Sequence, residues 1–264
     1  MHNDQQPYRD LYEAILSYEE DALHADVVRP WLAARDEERR WLDALRARPG
    51  APVPPLSREE SWRLYALSRI LQLLQLSFAP NTEVGGWNVA RVGRDELAEL
   101  MDGLGLERIE TRPFHPFWHE IVTVDELPDA AAPPRVVEEY WPGCRVGPLL
   151  VARAGCRVAA GRNHLVKEVA ESSTLYWAFA RGTRRTEDPS RGWGGNSQWR
   201  TEARRDYALD GALHYNVGAS AALPGGDGLT DTERAELLRH RCFVTSPRPS
   251  EELWPYALRR VESA

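Results

Sequence analysis

The sequence predicts an α+β protein: a helical N-terminal half packed on a mainly antiparallel β-sheet formed by the C-terminal half, with covering helices at the C-terminal end. Three observations predict it. Up to Leu104 apolar residues recur with the period of a helix, and from Glu107 onward the period shortens to that of a strand. Ser57-Arg-Glu-Glu60 is a capping box that opens a long apolar run. Asp210-Gly211, between two alternating segments, is a hairpin turn. We read residues 1–264 as one compact domain, with a helical subregion 1–105, a β-rich subregion 106–220 and C-terminal helices in 228–264.

Pro7 to His24 forms an amphipathic helix, because Leu11, Tyr12, Ile15, Leu16 and Tyr18 return at helical spacing. Pro30 restarts the chain, and Pro30 to Arg46 makes a second helix with Trp31, Leu32, Trp41, Leu42 and Leu45 on one face. The proline-rich stretch from Arg48 to Leu56 is a connector. The helix from Arg58 to about Phe78 is apolar nearly all round, so it is buried on most sides and forms the spine of the helical half. Asn81 to Trp87 is a turn region, and Asp95 to Leu104 a short helix stopped by Gly103 or Gly105.

In the β half, 108–112, 119–124, 135–141, 149–159 and 175–180 read as strands, with 184–196 a long polar loop. Gln198 to Leu209 alternates an apolar face with a polar one that carries Arg200, Glu202, Arg204 and Asp206. The return strand is Ala212 to Val217. A three-residue loop, Asp210-Gly-Ala212, keeps Leu213, Tyr215 and Val217 on the apolar side and turns His214 and Asn216 toward Arg204 and Asp206. Thr230 to Arg241 and Ser250 to Val261 are the covering helices.

The formal charge of −7 argues against a general nucleic-acid binder, whose affinity rests on a basic face. Its apolar runs fall far short of the roughly 20 residues that span a bilayer, so no membrane role is expected. The three cysteines, Cys144, Cys156 and Cys242, are odd in number and unpaired by spacing, which fits a reducing compartment. With no cationic n-region and apolar h-region at Met1 onward, the chain is expected in the cytoplasm.

Three constellations carry candidate chemistry. His115 and His119 lie four apart among Phe114, Phe117 and Trp118, followed by Glu120; on a straight strand they would be about 13 Å apart, so one metal takes both only from a turn. Asn163 caps a helix on which His164, Glu168 and Glu171 share a face, a spacing suited to a divalent metal or to a carboxylate steering an imidazole. On the hairpin, Arg200 and Arg204 can fork onto an anion while Asp206 orients His214, with Asn196 and Trp199 where the long loop enters. The Gly-rich dinucleotide and Walker motifs, Gly-x-Ser-x-Gly and His-Glu-x-x-His are missing.

Two pocket readings and one docking reading follow. In the first, the chain is a small enzyme using Fe or Zn held by His115, His119 and His164, with His214, Asp206 and Glu168 as catalytic groups and Arg200, Arg204, Asn196 and Trp199 binding a small acidic substrate. A metal-free variant keeps the arginine clamp on a small anion and His214 as acid or base. The docking reading is a non-catalytic protein, neutralising or scaffolding a protein partner through some of its 10 tryptophans and 9 tyrosines. Sequence does not choose between enzyme and binding protein.

Overall fold

The computed structural model describes residues 6–48, 55–80, 91–110, 112–172, 203–218, 228–247 and 258–264. Helices come first, strands follow, and a helix covers the strands near the C-terminal end, so the α+β class holds.

Helix α1 (Gln6–Leu16) buries Tyr8, Leu11, Tyr12 and Ile15, one face at helical spacing. It stops well short of His24. The Ser17 hydroxyl donates back to the Glu13 carbonyl at 2.9 Å and so competes for the helix's own acceptors. Helical structure resumes in a π-helical turn, His24–Val28, continued by α2 (Arg29–Ala33). The expected single helix from Pro30 to Arg46 is two, because Arg35 leaves helical geometry at φ −131° and ψ 45° before α3 (Asp36–Arg46). Asp36, Glu37 and Glu38 in the first turn of α3 favour a new N-terminus there, where the helix dipole is positive.

The spine is α4 (Arg58–Gln75), which begins on the predicted capping box: Ser57 Oγ accepts the Glu60 N–H at 3.1 Å and Glu60 Oε2 accepts the Ser57 N–H at 2.8 Å. Leu64, Leu67, Ile70, Leu71 and Leu74 are buried in a core shared with α1, α3 and α5 (Arg94–Gly103).

The β half is two sheets. The larger is antiparallel throughout, in the order β1 (Glu107–Arg108), β4 (Cys144–Val146), β5 (Leu149–Ala152), β7 (Asp206–Leu209), β8 (Ala212–Tyr215), β9 (Arg260–Ser263). The smaller runs β2 (His119–Glu126), β6 (Ala154–Ala160), β3 (Arg135–Trp141), with β6 parallel to β2 and antiparallel to β3. The stretch predicted as one strand, 149–159, therefore divides at Arg153, where the chain passes from the first sheet to the second. Trp141 fixes that crossing. Its Nε1 donates to the Arg153 carbonyl at 3.1 Å, and its ring lies so close over Gly155 that a Cβ there would sit 2.1 Å from it.

Two further expectations fail. The hairpin turns in two residues, not three: Leu209 pairs with Ala212, and Asp210 and Gly211 both take positive φ (52° and 74°), as a type I′ turn requires. The longer loop would keep one face of the hairpin apolar and the other wet. Both faces are in fact covered. Tyr207 packs with Leu149 in the helical core, while Leu213 and Tyr215 pack with Leu150, Phe117 and Leu238 on the reverse. A buried charged face reads in sequence like an exposed one. The last predicted helix, Ser250 to Val261, fails at its described end, where β9 pairs with β8 (Ala212 with Ser263, Tyr215 with Arg260) and satisfies a ladder that would otherwise be an open edge. The other covering helix is present as α7 (Asp231–His240), with Thr230 and Glu233 forming its capping box.

Candidate functional site

Among the described residues, the joint between the two sheets holds a concentrated group of buried charges. Arg153 sits at the crossing, Asp206 opens β7, and Arg204 lies just before it; all three are buried. Arg153 Nη2 donates to Asp206 Oδ2 at 3.2 Å, and Arg204 Nε donates to Asp206 Oδ1 at 2.9 Å. The Asn216 backbone N–H adds a third donor to Oδ1 at 2.8 Å. The two guanidiniums also cap the end of α7: Arg153 Nη1 donates to the Arg239 carbonyl at 2.9 Å, and Arg204 Nη2 donates to the Leu238 carbonyl.

Burial alone would raise the Asp206 pKa, but Arg204, Arg153 and Arg241 outweigh it and hold the carboxyl below its usual range. The same burial, helped by Arg241, pushes Arg153 down to about 9, against the pull of Asp206. Asp206 is thus a counter-ion that accepts three hydrogen bonds, two from buried guanidiniums and one from the backbone. The cluster sets one carboxylate against two fully buried guanidiniums. Arg153 Nε and Arg204 Nη1 have no hydrogen-bond partner among the described residues.

Strain gathers at the same place. Three non-glycine residues among those described take left-handed φ: Asp210, in the hairpin turn, Asn216 and Arg241. Asn216 bonds Asp206, and Arg241 ends α7 at φ 61°, a position helices usually give to glycine. Each such residue costs of order 1 kcal/mol and persists only where its surroundings impose it.

Beside the cluster lies a cavity of about 40 Å³, lined by Tyr65, Ser68 and Gln72 of α4, by Leu149 to Val151 of β5, and by Ala203, Arg204 and Arg241. One water needs about 10–15 Å³ by this measure, so the space admits about three waters or the head of one small oxyanion. The chain is held against α4 here by the Ala203 N–H, which donates to Ser61 Oγ at 3.0 Å.

The histidines do not converge. His115 and His119 meet across a tight turn, where the His115 N–H donates to His119 Nδ1 at 3.0 Å and the Phe117 N–H to His115 Nδ1 at 3.1 Å. Phe114 stacks on His119 at 5.6 Å, and burial pushes the His119 pKa down to about 4. These rings fill a sheet face and spend their Nδ1 atoms on backbone donors. His164 is exposed in a turn beyond β6, its Nε2 3.2 Å from the Ala131 carbonyl. That is the opposite end of the small sheet from His119, roughly 20 Å away at ~3.3 Å per residue, so one ion cannot take both. Helix α6 (Lys167–Ser172) begins too late to carry His164, and the expected His164, Glu168, Glu171 face does not form. Glu168 is exposed, and Glu171 Oε1 instead accepts the Val124 N–H of β2 at 2.7 Å.

His214 pairs with Tyr207, which puts it on the face of the sheet opposite Asp206; the predicted Asp206–His214 contact is lost with the register that required it. Among the described residues, no group of three or more His, Cys, Asp or Glu could hold a metal ion. Arg200, Asn196 and Trp199, with the 184–196 loop and the 175–180 strand, lie outside the described residues. Among those described, no helix is long and apolar enough to cross a membrane.

Of the predicted anion-binding residues, Arg204 is in the joint. Sequence reasoning missed Arg153 and Arg241. Arg153 had a signal: it is the lone charge in Leu149-Leu-Val-Ala-Arg-Ala-Gly-Cys156, a run otherwise fit for a sheet core. Arg241 had none, because nothing local marks an arginine for a left-handed helix end. No family model, curated protein or solved structure matches this chain.

Proposed function

We propose that this chain binds a small oxyanion in the cavity between α4 and the sheet joint, with Arg204 and Arg241 as its cationic wall. The observation that carries the reading is the Arg204 side chain: it is 2% exposed, faces a carboxylate already shared with Arg153, and retains a buried Nη1 with no partner among the described residues, beside a space of about 40 Å³. A buried guanidinium in excess of its counter-ions is costly unless something anionic completes it. Strain at Asn216 and Arg241 supports the same place, since such residues gather at binding sites. The docking reading has less behind it: the large hydrophobics exposed among the described residues are Val137 and Val261.

The test is titration calorimetry and thermal unfolding of the full chain with inorganic phosphate, sulfate and acetate. Saturable binding is expected, with stabilisation of about 2.7 kcal/mol at a hundredfold excess over Kd. In R204M the binding disappears. No saturable effect of any of the three anions, or equal binding in R204M, overturns the reading.

A further inference from the structure

We infer that the oxyanion is one that carries a proton, so that hydrogen phosphate is taken in preference to sulfate, and that Gln72 reads the proton. This rests on the cavity being an oxyanion site.

Gln72 and Arg204 both line this cavity, and each carries a buried side-chain atom without a partner among the described residues; the two atoms are of opposite kind. Arg204 Nη1 is a buried donor and Gln72 Oε1 a buried acceptor. An ion that satisfies both must accept from the guanidinium and donate to the amide oxygen. Sulfate at neutral pH offers acceptors only, so its oxygen would face the Gln72 oxygen. Hydrogen phosphate has the same tetrahedral shape and nearly the same size, and it keeps one P–OH. Choice between the two then rests on a hydrogen bond, which a site with a buried unpaired acceptor enforces strongly.

The position of Gln72 fits such a role. Helix α4 is leucine-rich on nearly every side, yet Tyr65, Ser68 and Gln72, at i, i+3 and i+7, form a polar stripe that lines the cavity. Ser68 Oγ donates its proton to the Tyr65 carbonyl at 2.7 Å, whereas Gln72 Oε1 is a buried amide oxygen that receives no donor from the described residues. The guanidinium supplies charge, common to every oxyanion; Gln72 supplies the discrimination.

The experiment is titration calorimetry of the full chain with inorganic phosphate and with sulfate, at pH 7 and matched ionic strength, on the wild type and on Q72M, which keeps the side chain's length and removes its acceptor. Phosphate is expected to bind roughly tenfold or more tighter than sulfate to the wild type, with the two nearly equal in Q72M. Equal affinities in the wild type, or a preference that survives in Q72M, overturn the role of Gln72 and leave the oxyanion reading standing. Failure of both anions to bind the wild type overturns both. The wild-type ratio needs no variant, so a Q72M chain that does not fold still leaves the inference open to refutation.

Discussion

Two buried ion clusters in this molecule invite comparison. In the helical half, Arg63 forks onto Glu38 with bonds of 3.0 and 2.7 Å, and its guanidinium lies 4.2 Å over the Trp41 ring. One cation meets one anion, and the arginine keeps 15% of its side chain in solvent while Glu38 keeps 1%. In the sheet joint, one carboxylate meets two guanidiniums that are 1% and 2% exposed. The first cluster is closed and ties α3 to α4. The second, among the described residues, sets two guanidiniums against one carboxylate beside a cavity. Balance, more than burial, separates a structural ion pair from a candidate site.

Several measurements would break or sharpen that contrast. The largest effect is expected from D206N, which leaves Arg153 and Arg204 buried without a counter-ion; a loss near 5 kcal/mol in urea unfolding is expected. A loss under about 1 kcal/mol would mean that the joint is wet and the contrast false. Removing a guanidinium should then separate the clusters. R63M strands Glu38 and should cost about 3 kcal/mol, whereas R204M leaves Asp206 still paired with Arg153 and should cost about 1–2 kcal/mol. Equal losses would show that the joint holds no excess charge.

A smaller effect concerns pH. The folded His119 pKa is near 4 because the ring is buried, against about 6.5 in the unfolded chain. The unfolded state therefore takes up the proton first, and stability falls as pH drops from about 6.5 to about 4, by about 2 kcal/mol once solvent screening is allowed. Burial lowers His115 in the same direction, so H119Q should flatten the slope in that window without abolishing it. An unchanged slope would locate the acid sensitivity elsewhere. The smallest effect is R241G. Glycine accepts the left-handed end of α7 freely, so the variant should gain about 1 kcal/mol in stability while weakening oxyanion binding. A loss of stability would show that the Arg241 side chain holds the fold together.

What was legible in the sequence was whatever is written within a few residues. The capping box at Ser57, the all-round apolar α4 and a turn at Asp210-Gly211 were each visible and are each present, though the turn is one residue shorter than expected. Arg204 was picked out as an anion ligand, though for a surface it does not occupy. The hairpin register was misread because alternation shows which residues differ in polarity, not which face meets water. The Asp206–His214 pair and the metal held by His115, His119 and His164 rested on how distant segments were assumed to meet.

By itself the sequence determined the class, the order of helices before strands, and the ends of its best-capped helices, since hydrogen bonds and apolar periodicity at short range suffice for those. Only the tertiary structure decided that strand 149–159 divides at Arg153, that both faces of the hairpin are covered, and that Arg153, Arg204 and Asp206 share one buried joint. The reason is physical. Arg153 and Asp206 are 53 positions apart, and what a buried charge is worth depends on which other charges the fold brings within bonding distance of it.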